Sequence, residues 1–294
     1  MVRLLYKLLR YSGLPVLFRE WVQKDKVTIL MLHDIDPDGA AKCLSYLKKH
    51  YNIIALRDFI KAVKNNSQND LPSKALILTF DDGHKGNFEL LTLFKELQIP
   101  ATIFLCAGIV DTHRHYWFEH DYPAALPKDI KKMDNRSRLE WLEKQGFNIT
   151  QEYPDRHAIQ REEMEAMKEM VDFQAHTIFH PCLPTCDEQE ERQEISEGKQ
   201  ILEQNFGCDI YAIAYPNGDY SQRTIELTKE AGYQCAVTVD YGFNTIKSDL
   251  FRLKRLSIND THDMNELIVK SSGLWGFLKT RNGKKNGYSS VYVH

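Results

Sequence analysis

Short apolar runs alternate with amphipathic stretches from Val27 to Ser271, and this alternation constrains the fold more than any other property of the chain. The runs Val27–Leu32, Ile53–Leu56, Ala75–Phe80, Ala101–Leu105, Val171–Ala175, Tyr211–Ala214, Cys235–Val239 and Phe251–Ile258 read as strands. Helical patterns separate most of them: Ala40–Lys49, Arg57–Asn65, Asn87–Leu97, Arg161–Met170, Glu188–Asn205, Ser221–Ala231 and Met264–Ser271. In Glu89–Leu97, for example, Leu90, Leu91, Phe94 and Leu97 share one helical face. Strands joined by crossover helices pair in parallel, so the pattern predicts an α/β layer or barrel.

One stretch breaks the alternation. Residues 107–155 are rich in charge and aromatics, with a helix only around Arg136–Gln145, and read as an insertion after the fourth strand. Long loops inside compact domains are commonly lids or binding elements. No Gly/Ser/Pro linker divides the 294 residues, so one domain is expected over 26–275, with an N-terminal amphipathic segment (1–25) and a C-terminal tail (276–294). That length buries a full core.

A net charge of −3 gives no electrostatic case for nucleic-acid binding. The six cysteines are isolated from one another and predict free buried thiols in a reducing compartment. Cys182 and Cys186 have a ligand-like spacing, but Pro184 between them and the lack of a second pair argue against a zinc knuckle. In Met1–Lys24, Leu4, Leu5, Leu8 and Leu9 stand beside Arg3, Lys7 and Arg10 without the apolar core of a signal peptide or the length of a membrane span. Such a helix packs on its own domain or lies on a membrane surface. A cytoplasmic address follows as the expectation, with peripheral membrane contact through residues 1–24 left open.

Two strand ends carry the chemistry. Leu78-Thr79-Phe80-Asp81-Asp82-Gly83 ends an apolar run in adjacent carboxylates and a glycine that permits the chain to turn. Near a divalent cation one carboxylate can ligate while the other serves as a base. The triplet alone also fits a turn carboxylate capping the next helix. His176-Thr177-Ile178-Phe179-His180-Pro181 follows the strand Val171–Ala175, and two histidines four apart can face one metal if the segment turns helically. Lone histidines are more often satisfied polar groups; His113, His115 and His120 are also close in sequence, but no strand fixes them. Together, Asp82, His176 and His180 form a carboxylate and two imidazoles with a position left for water, the open arrangement of a catalytic zinc.

These residues resemble the polysaccharide deacetylases of the NodB-homology type, the family-4 carbohydrate esterases. Thr79-Phe80-Asp81-Asp82-Gly83 matches the first family motif, His176-Thr177-x-x-His180-Pro181 the second, and Pro100–Leu105 is also similar. The resemblance implies a distorted (β/α)7-type barrel, Asp81 as general base, and Asp82, His176 and His180 as ligands of a divalent metal, Zn2+ foremost. The third motif resembles Ala214-Tyr215-Pro216-Asn217-Gly218. By resemblance the Tyr215 amide, in the loop with Pro216, stabilises an oxyanion; a plain turn fits the same residues. Many members carry an arginine before this loop. Ile213 and Ala214 stand there instead, so Asp81 is expected to lack an arginine partner. Members usually carry the acid histidine on a late strand, where this chain has Asn259. The first strand ends in His33, which resembles a circularly permuted branch and implies His33 as the acid, with His84 and His262 as weaker candidates.

The implied reaction is metal-dependent hydrolysis of an N-acetyl or N-formyl group on an amino sugar of a glycan or of a lipid- or nucleotide-linked precursor. Trp117, Tyr116, Phe118 and Tyr122 either stack on sugar rings or form the insertion's own small core. Hydrolysis of a non-sugar amide or imide, and a catalytically silent carbohydrate-binding protein, stand as alternatives.

Overall fold

A computed structural model describes residues 2–281. Eight strands form one parallel sheet: β1 (Val27–Leu32), β2 (Asn52–Ile53), β3 (Ala75–Phe80), β4 (Ala101–Leu105), β5 (Val171–Ala175), β6 (Ala212–Ala214), β7 (Cys235–Val237) and β8 (Leu256–Ser257). Their order is β7-β6-β5-β4-β3-β1-β8, with β2 added on β3. The helices are α1 (Val2–Tyr11), α2 (Leu14–Leu17), α3 (Pro37–His50), α4 (Leu56–Lys64), α5 (Leu91–Leu97), α6 (Asn135–Lys144), α7 (Arg161–Met167), α8 (Glu188–Phe206), α9 (Gln222–Glu230), α10 (Met264–Ser271) and α11 (Leu274–Arg281).

The sheet curls until its edges nearly meet. The chain entering β8 bonds first to β7, through Leu253 N–H to the Ala236 carbonyl (3.0 Å) and Thr238 N–H to the Leu253 carbonyl (2.8 Å). Leu256 then pairs with Leu30 of β1. This closes the distorted α/β barrel expected from the sequence, and it makes the first and last strands neighbours.

Strand alternation sorts the side chains. Leu30, Leu32, Leu76, Leu78 and Phe80 pack with the apolar faces of α3, α5, α7, α8 and α10. Residues of the other parity, Ile29, Ile77, Ala212, Ala214, Val237 and Leu253, meet in a second cluster with Leu56 and Phe59 of α4. Strands from both ends of the sheet touch there, which only the concave side allows. Continuing the same parity places Met31, His33, Thr79, Asp81, Gln174 and His176 on that concave side too. Parallel strands put all their following loops at one end of the barrel.

Local chemistry moved several boundaries. β2 ends at Ile53 because Ala55 begins the first turn of α4, so Leu56 is helical. α3 starts at Pro37, ahead of the expected Ala40: the Asp36 carboxylate accepts from Asp38 N–H and Gly39 N–H at 3.1 Å, and proline suits the first turn. Lys85–Leu90 forms tight 3-10 turns before α5. The 107–155 segment follows β4 as expected and holds its own core of Trp117, Ile130, Leu142 and Phe147. The tail expected from residue 276 begins inside α11, and 282–294 lie outside the described residues. All six cysteines are free, five of them buried.

Candidate active site

The loops after β3 and β5 adopt backbone that few side chains tolerate. Asp82 (φ 71°), Thr177 (φ 69°) and His180 (φ 56°) are all left-handed. For a β-branched residue such as Thr177 this is a marked outlier, and such strain gathers where the surroundings over-determine a functional geometry. Here the surroundings do so. Glu194 of α8 accepts from Ile178 N–H (2.8 Å) and Phe179 N–H (3.0 Å), and the Thr177 hydroxyl accepts from His180 N–H (3.1 Å). Gly198 lies beneath the turn, where an added Cβ would stand 3.0 Å from the Thr177 carbonyl carbon. From the insertion, the Tyr116 hydroxyl donates to the Asp82 carbonyl (2.7 Å) and the Trp117 indole to the His180 carbonyl (2.9 Å).

The result brings together three of the residues singled out in the sequence. His176 Nε2 and His180 Nε2 each lie 3.4 Å from Asp82 Oδ1, and all three residues are buried. Two ligands at about 2.0–2.1 Å from a tetrahedral cation stand about 3.4 Å apart, so the spacing fits a zinc-type ion. The donors fit as well. His176 Nδ1–H donates to the Ala214 carbonyl at 2.7 Å, which leaves Nε2 bare. Asp82 Oδ1 is buried without a hydrogen-bond partner, a cost an ion would offset. Burial, with His176 adding to it, lowers the His180 pKa to about 3, so its imidazole is neutral. Burial works against the Asp82 charge, but His176, His84 and His180 outweigh it and hold the carboxyl well below its usual range. His84 takes the other carboxylate oxygen, Nε2 to Oδ2 3.2 Å, and faces Glu119 across 3.6 Å.

Asp81 does not lack an arginine. Arg255, fully buried just ahead of β8, grips both carboxylate oxygens, Nη1 to Oδ1 2.6 Å and Nη2 to Oδ2 2.7 Å. Its Nε–H donates to the Thr238 carbonyl at 2.8 Å and Nη1 also reaches the Thr79 hydroxyl at 3.2 Å, so the fork is fixed on three sides. Burial raises the Asp81 pKa, the guanidinium outweighs it, and the net shift is downward. The arginine reaches Asp81 from the far end of the chain, and not from the positions before Tyr215, where Ile213 and Ala214 stand. The usable signal was parity: Arg255 is two residues from the inward-facing Leu253.

The Tyr215 amide, expected to hold an oxyanion, is engaged within the sheet. The Tyr215 amide is not free; it donates to the Val237 carbonyl at 3.2 Å as an extension of the β6–β7 pairing. Tyr215 and Pro216 are buried, and Asn217 and Gly218 form that wall of the cavity instead.

The cavity, about 360 Å³, is lined by Met31, His33, Asp81, Asp82, His176 and His180, by His84, and by Phe118, Glu119 and Lys131 from the insertion. His33 is half-exposed on the rim; its Nδ1 lies 3.6 Å from Asp260 Oδ2, and its N–H donates to Asp260 Oδ1 at 2.9 Å. Burial lowers the His33 pKa, but Asp260, Asp81 and Asp82 outweigh it and raise it to about 9. His262 pairs with Asp36 at the surface, away from the cavity lining. Of the aromatics in the insertion, Tyr116 and Trp117 belong to its buried scaffold, and only Phe118 reaches the cavity.

Comparison with known proteins agrees with this architecture. A Streptococcus pyogenes deacetylase, PplD, solved in complex with acetate, superposes with a TM-score of 0.62 at 20% identity over 84% of this chain and 98% of that one. IcaB from Ammonifex degensii gives 0.60 at 16% identity over 85% of this chain and 98% of the other. A Bacillus cereus polysaccharide deacetylase gives 0.59 at 23% identity over 84% and 69%. These likenesses establish a shared fold. Bacillus subtilis (strain 168) YxkH, a curated relative whose name places it among the polysaccharide deacetylases, is 23% identical over 199 residues; the match covers 66% of this chain and 55% of that protein, so the chain spans about half of the relative's length. The polysaccharide deacetylase family model matches residues 68–236, more than half of the chain and both strand ends that carry the clustered Asp and His residues, and the chain therefore belongs to the polysaccharide deacetylase family.

Proposed function

We propose that the protein removes an N-acetyl group from an amino sugar within a glycan or glycan precursor by metal-dependent hydrolysis. The observation that carries this reading is the unpartnered Asp82 Oδ1 facing two imidazole nitrogens, with the arginine-held Asp81 beside it in one cavity. Asp82, His176 and His180 would hold the ion, Zn2+ by the chemistry of the donor set, and it would supply Lewis-acid polarisation of the acyl carbonyl. Asp81, kept ionised by Arg255, accepts a proton, through a lone pair the guanidinium leaves open, from the water whose oxygen adds to the acyl carbon. His33, protonated at neutral pH and with its ring Nδ1 beside Asp260 Oδ2, donates a proton to the amine as the C–N bond breaks, which releases acetate and a free amino sugar. Phe118 offers an apolar face for a sugar ring at the cavity wall.

The direct test is to incubate zinc-loaded protein with a panel of N-acetylated glycans and precursors, N-formyl sugars and a cyclic imide, and to measure the acid released. Acetate from an N-acetyl glycan, abolished by a chelator and restored by zinc, is the expected result. Turnover of the imide alone, or of nothing while the ion is bound, overturns the reading.

His84 supports the ion through Asp82 without joining the three ligands. His84→Ala is expected to weaken zinc binding by about 10–100-fold, the usual cost of losing such a supporting contact. Competition with a chromogenic chelator measures this. An unchanged affinity would remove His84 from that role.

A further inference from the structure

Ten large hydrophobic side chains stand exposed among the described residues, and nine of them fall between Val2 and Trp21. The tenth, Phe277, packs on Phe18 of the same segment with ring centroids 5.4 Å apart, so it adjoins that segment's exposed surface. Exposure is high: 62% for Leu4, 63% for Leu8, 52% for Leu17 and 80% for Trp21. Monomeric soluble proteins seldom gather their exposed apolar surface this way, and such patches mark interaction sites.

The patch is not a helix that failed to dock. α1 is already seated through its other face: Tyr6 is buried against Trp275 at 4.8 Å, with Val269 and Leu274 beside it, and Arg10 Nη1 donates to Asn265 Oδ1 at 3.1 Å. The outward face is a second apolar side on which no other element packs among the described residues, carrying Leu4, Leu8 and Tyr11 with Arg3 and Lys7 interleaved, all exposed. Residues 2–22 contain Arg3, Lys7, Arg10 and Arg19 against Glu20, a net +3 in a chain whose total is −3.

We propose that this surface docks on an anionic lipid bilayer. Apolar side chains flanked by basic ones match the acyl–headgroup boundary, and a tryptophan at the edge suits that interface. No described helix is long and apolar enough to cross a membrane, so the segment lies on the surface and does not span it. A second copy of the chain fits less well, because it would oppose one net-positive patch to another.

Flotation of the full-length protein with vesicles tests the docking. The wild type is expected to float with phosphatidylcholine–phosphatidylglycerol vesicles, and less with phosphatidylcholine alone or at high salt. Leu8→Glu with Trp21→Glu should abolish flotation, and Arg3→Ala with Lys7→Ala should weaken it by about thirtyfold. These side chains are exposed, so an unchanged melting temperature confirms folding, and zinc content and acetate release of the variants report the catalytic site separately. Wild-type protein that stays unbound with anionic vesicles, or variants that float equally well, overturns the proposal. So does a dimer in solution that Leu8→Glu dissociates, since a second copy would then cover the patch.

Discussion

Asp81→Asn is expected to lower the turnover number by about a thousandfold, within the range that loss of a positioned general base produces, while zinc content stays at the wild-type level. The expectation follows from a division of labour between neighbouring carboxylates. Asp82 points its free oxygen at the two imidazoles, whereas Asp81 has both oxygens on Arg255 and none within the cluster that could hold an ion. Asparagine keeps one acceptor for the guanidinium but turns an amide towards its second N–H, so some loss of stability accompanies the substitution. Measuring metal content, melting temperature and turnover on the same preparation separates the two effects. A folded, zinc-loaded Asp81→Asn protein with wild-type turnover would remove Asp81 as the base.

Arg255→Met should have the second-largest effect, and it reads out on two scales. Removing one partner of a buried pair leaves an uncompensated charge and typically costs about 3–5 kcal/mol. The pH dependence gives the mechanism. With Arg255 present, the folded Asp81 pKa lies below its ordinary value, so the stability it contributes is present above the unfolded pKa and lost only as pH falls through the lower, folded one. Without the guanidinium, burial dominates and raises the folded pKa. The carboxyl then folds protonated, and the variant loses stability as pH rises. The gap in melting temperature between wild type and Arg255→Met is therefore expected to widen from acid to neutral pH. In parallel, the acidic limb of the pH–rate profile should move to higher pH, because a protonated Asp81 cannot accept a proton. A gap that does not change with pH would mean that Arg255 acts by packing alone.

Much of the barrel was legible from local pattern. The runs ending at Leu32, Phe80 and Leu105 became strands with those boundaries, because each is a mainly apolar segment bounded by a turn and buried on both faces, and Val171–Ala175 did so through the period-2 alternation of Val171, Phe173 and Ala175 with Asp172 and Gln174. β7 and β8 came out shorter than their apolar runs, since a strand extends only as far as a neighbour offers backbone partners, and that depends on how the sheet curls. The aromatics of the insertion carried no period that could separate a sugar platform from a small core. Packing decided it: Tyr116 and Trp117 turn inward to hold Asp82 and His180.

The feature that organises the site divides in the same way. Sequence by itself determined that Asp81, Asp82, His176 and His180 sit at the ends of two apolar strands, because motif spacing and period-2 alternation are local properties of the chain. Tertiary structure alone decided that Arg255, 174 residues from Asp81, closes on it, and that the Tyr215 amide is taken by Val237. Both depend on strands distant in the chain becoming neighbours when the sheet curls shut, and local pattern does not encode which side chains then share the enclosed space.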